Sequence, residues 1–140
     1  ELGKANKSKV LPLWMDFIHP TPESGIGLAL LNSYERYRSD ITLVLGLVHH
    51  LSLRQVISFK SIVEIINSYT KHISIIEFVP RTDECIQTWK IHEHYSKESF
   101  IKSMNGKGLF LTSEKQTKNG RYILVFKRNG FQSHKNKPRK

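Results

Sequence analysis

The apolar positions of this chain fall into short continuous runs separated by stripes at helical spacing. The run Ile41–Val48 carries no charge. It predicts a strand buried on both faces, as in a parallel sheet. Asp40 opens it and His49-His50-Leu51 closes it. Ile73–Val79 is a second run of this kind, stopped by Pro80. Between the two, Val56, Ile57, Phe59, Ile62, Val63, Ile65, Ile66 and Tyr69 form a broad stripe. That stripe predicts a helix over 53–69, with Ser52 as its N-cap. Upstream, Val10–Phe17 reads as a short strand in which Pro12 suits an edge or a strand start. Pro20, Pro22, Gly25 and Gly27 make 19–27 a loop, and 28–38 has fair helical spacing. Gly25-Ile-Gly27 is turn chemistry here.

Downstream, Thr82 or Asp83 can cap a helix over 84–92, with Ile86 and Trp89 facing inward. Tyr34, Tyr37 and Trp89 are read as packing residues. Ser96 precedes another helix, over 96–104. Strands at 109–114 and 121–127 are joined through Asn119-Gly120, a dipeptide that favours positive-φ turns. The resulting order is β, α, β, α, β, α, α, β, β. Strands alternating with helices indicate an α/β sheet, mostly parallel, with an antiparallel hairpin at its C-terminal end.

Charge changes this picture only at the ends. The 140 residues carry a net charge of +10. Residues 127–140 hold six Lys/Arg and no acid, and residues 1–9 hold three lysines against one acid. The body is therefore nearly balanced. We divide the chain into a flexible basic start (1–9), an α/β domain (10–128) and a basic disordered tail (129–140). Such a tail either stays solvated or attracts phosphates at low salt, so nucleic acid enters as a candidate partner. The single cysteine, Cys85, cannot form an intrachain disulfide and fits a reducing cytoplasm. No stretch suits a membrane span or a signal peptide.

The candidate chemistry is concentrated at strand ends, where open α/β sheets bind ligands. His49, His50, His72 and the His92-Glu93-His94 run invite a metal reading. Zinc sites need three or four ligands at fixed spacing, and these histidines are read instead as surface and strand-end residues, with no metal. Cys85, beside Ile86 in the expected helix, is read as a small packing residue rather than a nucleophile.

With Val10–Phe17, Asp40–Leu51, Ile75–Pro80 and the terminal hairpin in place, the chain resembles the second half of a class I S-adenosylmethionine-dependent methyltransferase. In that family seven strands lie in the order 3-2-1-4-5-7-6, with the seventh antiparallel. The resemblance makes 10–17 the third strand, 41–48 the fourth, 73–79 the fifth, and 109–114 and 121–127 the sixth and seventh. The fold it implies is a Rossmann-like methyltransferase sheet lacking its first two strands. It also implies roles for particular residues. Asp16 would accept from the adenine amino group and Phe17 would pack near the ring. Gly46 and Leu47 would lie near the cofactor, and His49 and His50 near the reacting methyl group as candidate bases. Glu77 would line the substrate side.

The family's glycine-rich first loop and the acid that holds the ribose have no counterpart in this sequence. The expectation is therefore the C-terminal part of a methyltransferase, either a fragment or a natural truncation. It would be inactive, or weak in binding S-adenosylmethionine, as an isolated chain. The strand at 41–48 would have an open edge. That edge is expected to be covered by strand 10–17, by a missing N-terminal half, or by a second copy. The alternative is a non-enzymatic, degenerate methyltransferase-fold module that binds RNA or an acidic partner through its basic ends.

Overall fold

The computed structural model describes residues 12–130. They fall into two compact units divided between Arg36 and Tyr37. In the first unit, short-range polar contacts shape the backbone. The strand expected over Val10–Phe17 is not formed by Pro12–Phe17, and Val10 and Leu11 lie outside the described residues. Pro12 has no N–H for a ladder. At the other end, Asp16 Oδ1 accepts from the amides of Ile18 (2.8 Å) and His19 (3.1 Å), which curls the chain locally.

Gly25 (φ 84°) and Gly27 (φ 65°) make the expected turn, around a 3₁₀ segment at Ile26–Leu28. The helix expected over 28–38 shortens to Ser33–Tyr37 (α1). Leu28 sits at φ 57° and Leu30 is bridged to Ser24, so neither can join a helix. Asn32 starts α1 instead. Its Oδ1 accepts from the Glu35 amide (3.1 Å), and its Nδ2 donates to the Glu35 carboxylate (2.8 Å).

The second unit is built on a four-stranded mixed sheet. Its strands are β1 (Ser39–Val44), β2 (Thr70–Phe78), β3 (Leu109–Gln116) and β4 (Tyr122–Arg128), in the order β1-β2-β4-β3. β1 and β2 are parallel, with Leu43 beside Ile75 and Val44 beside Ile76. β4 runs antiparallel to both its neighbours, with Ile76 opposite Leu124. This is the order and sense in which the resemblance places its fourth, fifth, seventh and sixth strands. The parallel part is the β1–β2 pair, and β1 is an edge among the described residues. Pro12–Phe17 contribute no strand to this sheet.

Helix α2 (Phe59–Tyr69) and helix α3 (Lys97–Asn105) cover one face of this sheet. α3 begins where Ser96 predicts, with Ser96 Oγ accepting from the Ser99 amide (3.1 Å). α2 begins six residues later than Ser52 predicts. Its cap is Ser58, whose Oγ accepts from the Ser61 amide (3.1 Å). The intervening residues form a π-turn at His50–Arg54 that buries Leu51, Ser52 and Leu53 together. An α-helix turns about 100° per residue and cannot point three consecutive side chains inward. Val56, at φ 56°, then breaks the path before α2.

Between helices and sheet lies an aromatic core. The Phe59 and Phe100 rings meet edge to face at 5.2 Å, and Phe78 stacks on Tyr95 at 5.2 Å. The Tyr95 hydroxyl donates to the Val79 carbonyl (2.7 Å), which satisfies the one polar atom brought in. The opposite sheet face carries Ile41, Leu43, Ile73, Ile75, Ile123 and Val125 and is only partly covered. No helix among the described residues is long and apolar enough to cross a membrane.

Candidate functional site

The site forms at the carboxyl ends of the two parallel strands, where neighbouring chains diverge. After β1, Gly46 turns the backbone at φ 64°. A Cβ there would come 3.7 Å from Glu77 Oε2, so the bare α-carbon sits beside the carboxylate near the end of β2. The turn brings His49 inward, 4% exposed, and leaves His50 at the surface. Their rings lie 4.2 Å apart. Trp89 closes over them, stacked on His49 at 5.7 Å and tilted to His50 at 5.3 Å. The Arg54 guanidinium lies 4.3 Å from the Trp89 ring centre, a cation–π contact.

Opposite lies a charge network. Arg121, just before β4, donates from Nε to Asp83 (2.6 Å) and from Nη1 to Glu77 (3.4 Å). Asp83 is nearly buried and also caps the 3₁₀ turn Glu84–Ile86 by accepting from the Cys85 amide (3.0 Å). The Arg121 bond holds the Asp83 carboxyl well below the usual range, against the opposing effect of burial. Burial, helped by the adjacent Asp83 carboxylate, pushes the Cys85 thiol up, so its reactive thiolate is disfavoured. A cavity of about 670 Å³ opens beside Asp83, Cys85 and Arg121.

Burial lowers the His49 pKa below its ordinary 6.5, assisted by the charges of His50 and Arg121. His49 Nδ1 is buried and accepts or donates no hydrogen bond among the described residues. His49 Nδ1 is closed to solvent, so of the two histidines the exposed His50 is the one whose ring can take a proton from an oxygen or nitrogen acid. No group of three or more His, Cys, Asp or Glu side chains converges for a metal among the described residues.

Of the residues singled out in the sequence, Gly46, Leu47, His49, His50 and Glu77 belong to the second unit, and Asp16 and Phe17 to the first. Gly46, His49, His50 and Glu77 gather at the strand ends. Asp16 is engaged locally, with its carboxylate 3.2 Å from His19 Nδ1. Asp83, Arg121 and Trp89 were not expected as site residues. The helix expected over 84–92 is only the 3₁₀ turn, because the chain beyond it is tied elsewhere. Arg81 donates to the carbonyls of Tyr95 (2.7 Å), His92 (2.9 Å) and Glu93. That frees Trp89 from helical packing. The sequence signal for Arg121 and Asp83 was one of pairing: an arginine just before one strand and an acid after another, adjacent only through the β2–β4 register.

No protein-family model matches the sequence, and comparison with curated proteins returns no match. Among solved structures, magnesium protoporphyrin IX methyltransferase from Synechocystis PCC 6803, with bound SAH, is similar at 14% identity and a TM-score of 0.47. The match covers 65% of this chain and 45% of that one, so the chain spans less than half of the other's length.

Proposed function

We propose that this chain forms the acceptor side of an S-adenosylmethionine-dependent methyltransferase. The observation that carries the reading is the convergence of Gly46, His49 and Glu77 at the ends of a parallel strand pair, within a β1-β2-β4-β3 sheet. The residues present fit one end of the cofactor. The Gly46 turn, at φ 64°, sets its α-carbon beside the Glu77 carboxylate, and His50 is exposed at the same strand ends. When bound, S-adenosylmethionine supplies an electrophilic methyl group. The chain's own part is positioning and proton management. Of the two candidate bases, His50 is the exposed one and takes the acceptor's proton, with the buried His49 ring packed against it. Arg121 fixes the Glu77 and Asp83 carboxylates in place. Asp16 and Phe17 are proposed for the adenine end and Leu47 for the neighbourhood of the cofactor, on the resemblance alone.

The test is titration of the native protein with S-adenosylhomocysteine, followed by NMR at the Gly46 amide and the His49 ring. Saturable shifts at both are expected, and Gly46→Val should abolish them. Saturating ligand with both signals unmoved refutes the reading. The concentration of positive charge at the ends favours a second reading, a binding module for RNA or an acidic partner. In that case removal of 127–140 should abolish a salt-sensitive RNA affinity, while S-adenosylhomocysteine leaves the protein unchanged.

A further inference from the structure

The strand registers lay out the sheet face turned away from α2 and α3 row by row. One row runs Ile41, Ile73, Lys127, Phe110, and the next Leu43, Ile75, Val125, Ser113. The third holds Glu77, Ile123 and Lys115. Rows lie two residues apart at about 3.3 Å per residue and strands lie about 4.8 Å apart, so the grid measures about 13 Å by 14 Å. Ile41, Leu43 and Phe110 on it are exposed. The crossover from β1 to β2 passes through α2 on the other face, and no helix among the described residues covers this one.

The charges on this face are uneven. Glu77 is held by Arg121 (3.4 Å), and Asp40 at the edge lies 3.8 Å from Lys71. Lys115 and Lys127, on the β3–β4 side, have no carboxylate partner among the described residues. The helix side differs: there Lys97 is paired with Glu114, and Lys107 with Glu64 at 2.7 Å. The open face is thus an apolar strip over β1 and β2 with two uncompensated cations along one flank.

From these we infer that the face docks one amphipathic helix of a partner polypeptide, its apolar stripe on β1 and β2 and its acidic flank above Lys115 and Lys127. Two to three helical turns span about 13 Å, and helices are the elements that cover parallel strand pairs. The unpaired lysines select the sign of the partner's flank. The chain's own ends have the wrong sign for this place, because residues 127–140 hold no acid and residues 1–9 hold three lysines against one acid. A second copy laid face to face would bury the same lysines without counterions. A cofactor at the strand ends is not required for this docking.

The test uses the full chain labelled with ¹⁵N and two designed helical peptides of about 14 residues, which share a leucine stripe and carry either glutamates or lysines beside it. Salt at about 0.15 M screens long-range attraction to the basic ends. The glutamate peptide should give saturable amide shifts over 41–45, 73–77 and 123–127, and the lysine peptide should bind about tenfold more weakly. The double variant Lys115→Glu, Lys127→Glu, folded by circular dichroism, should reverse that preference. Leu43→Ser should weaken both peptides. Four results overturn the inference: no saturable shift on this face, equal affinity for the two peptides, shifts confined to the basic ends, or a wild-type dimer in sedimentation that Leu43→Ser converts to monomer.

Discussion

Leu43 and Val44 are adjacent in β1, yet one is 61% exposed and the other 4%. They stand for the two faces of one sheet. On the helix side, Val44, Ile76, Leu124 and Phe126 are buried under α2 and α3. On the other side, Ile41, Leu43 and Phe110 are exposed and Ile73, Ile75 and Val125 half-buried. Both faces are about equally apolar in sequence. What differs is whether a helix lies above them, so the same residue type contributes strongly to stability on one face and little on the other. A parallel strand pair is ordinarily covered on both sides. The open face therefore marks where this sheet has capacity for another surface.

Substitutions can break or sharpen that contrast. The largest effect is expected at Phe100, fully buried between Phe59 and Phe126. Phe100→Ala should cost about 3–5 kcal/mol in urea denaturation. Next comes Arg121→Ala at the strand ends, which strands the nearly buried Asp83 carboxylate and should cost about 1–3 kcal/mol at pH 7. Asp83 has its pKa lowered by folding, so that contribution is present above its ordinary 3.8 and fades as pH falls below it. The gap between variant and wild type should narrow in acid. Tyr95→Phe, losing one hydrogen bond to Val79, should cost about 1 kcal/mol. Leu43→Ser on the open face should change stability by less than about 0.5 kcal/mol. A loss as large as that of Phe100→Ala would mean the face is covered in solution.

His49 offers a pH reading of the same unit. Folding lowers its pKa, so the unfolded chain binds the proton more readily. Its contribution is complete above 6.5 and is lost as pH falls below that value. His49→Gln should flatten the stability profile between pH 6.5 and 5, measured by thermal melts across that range.

The elements that local chemistry decides were legible in the sequence. Ser96 capped α3 as read, and Asn119-Gly120 turned β3 into β4, with Gly120 at φ 81°. The run expected at 41–48 to be buried on both faces is instead the strand Ser39–Val44, with Ile41, Leu43 and Leu45 exposed, because no helix among the described residues covers that side. Where two local signals competed, the pattern could not choose. Ser52 and Ser58 both precede the apolar stripe, and only burial of Leu51, Ser52 and Leu53 decides for the later cap. The chain at 84–92 has helical spacing, but its following carbonyls are claimed by Arg81, and this long-range contact has no periodic signature. The Arg121–Asp83 pair joins residues 38 positions apart and depends on strand register, so it became visible only with the sheet.

The Arg81 contacts have a consequence for how this part of the molecule comes apart. One guanidinium gathers the carbonyls of His92, Glu93 and Tyr95, so the chain from Thr82 to Ile91 is a loop tied at its neck. Lys90 lies exposed within it. Trypsin should therefore nick the backbone after Lys90 and yet leave the two pieces associated until denaturant is added. A break in the covalent chain there need not release Trp89 from the histidines it covers.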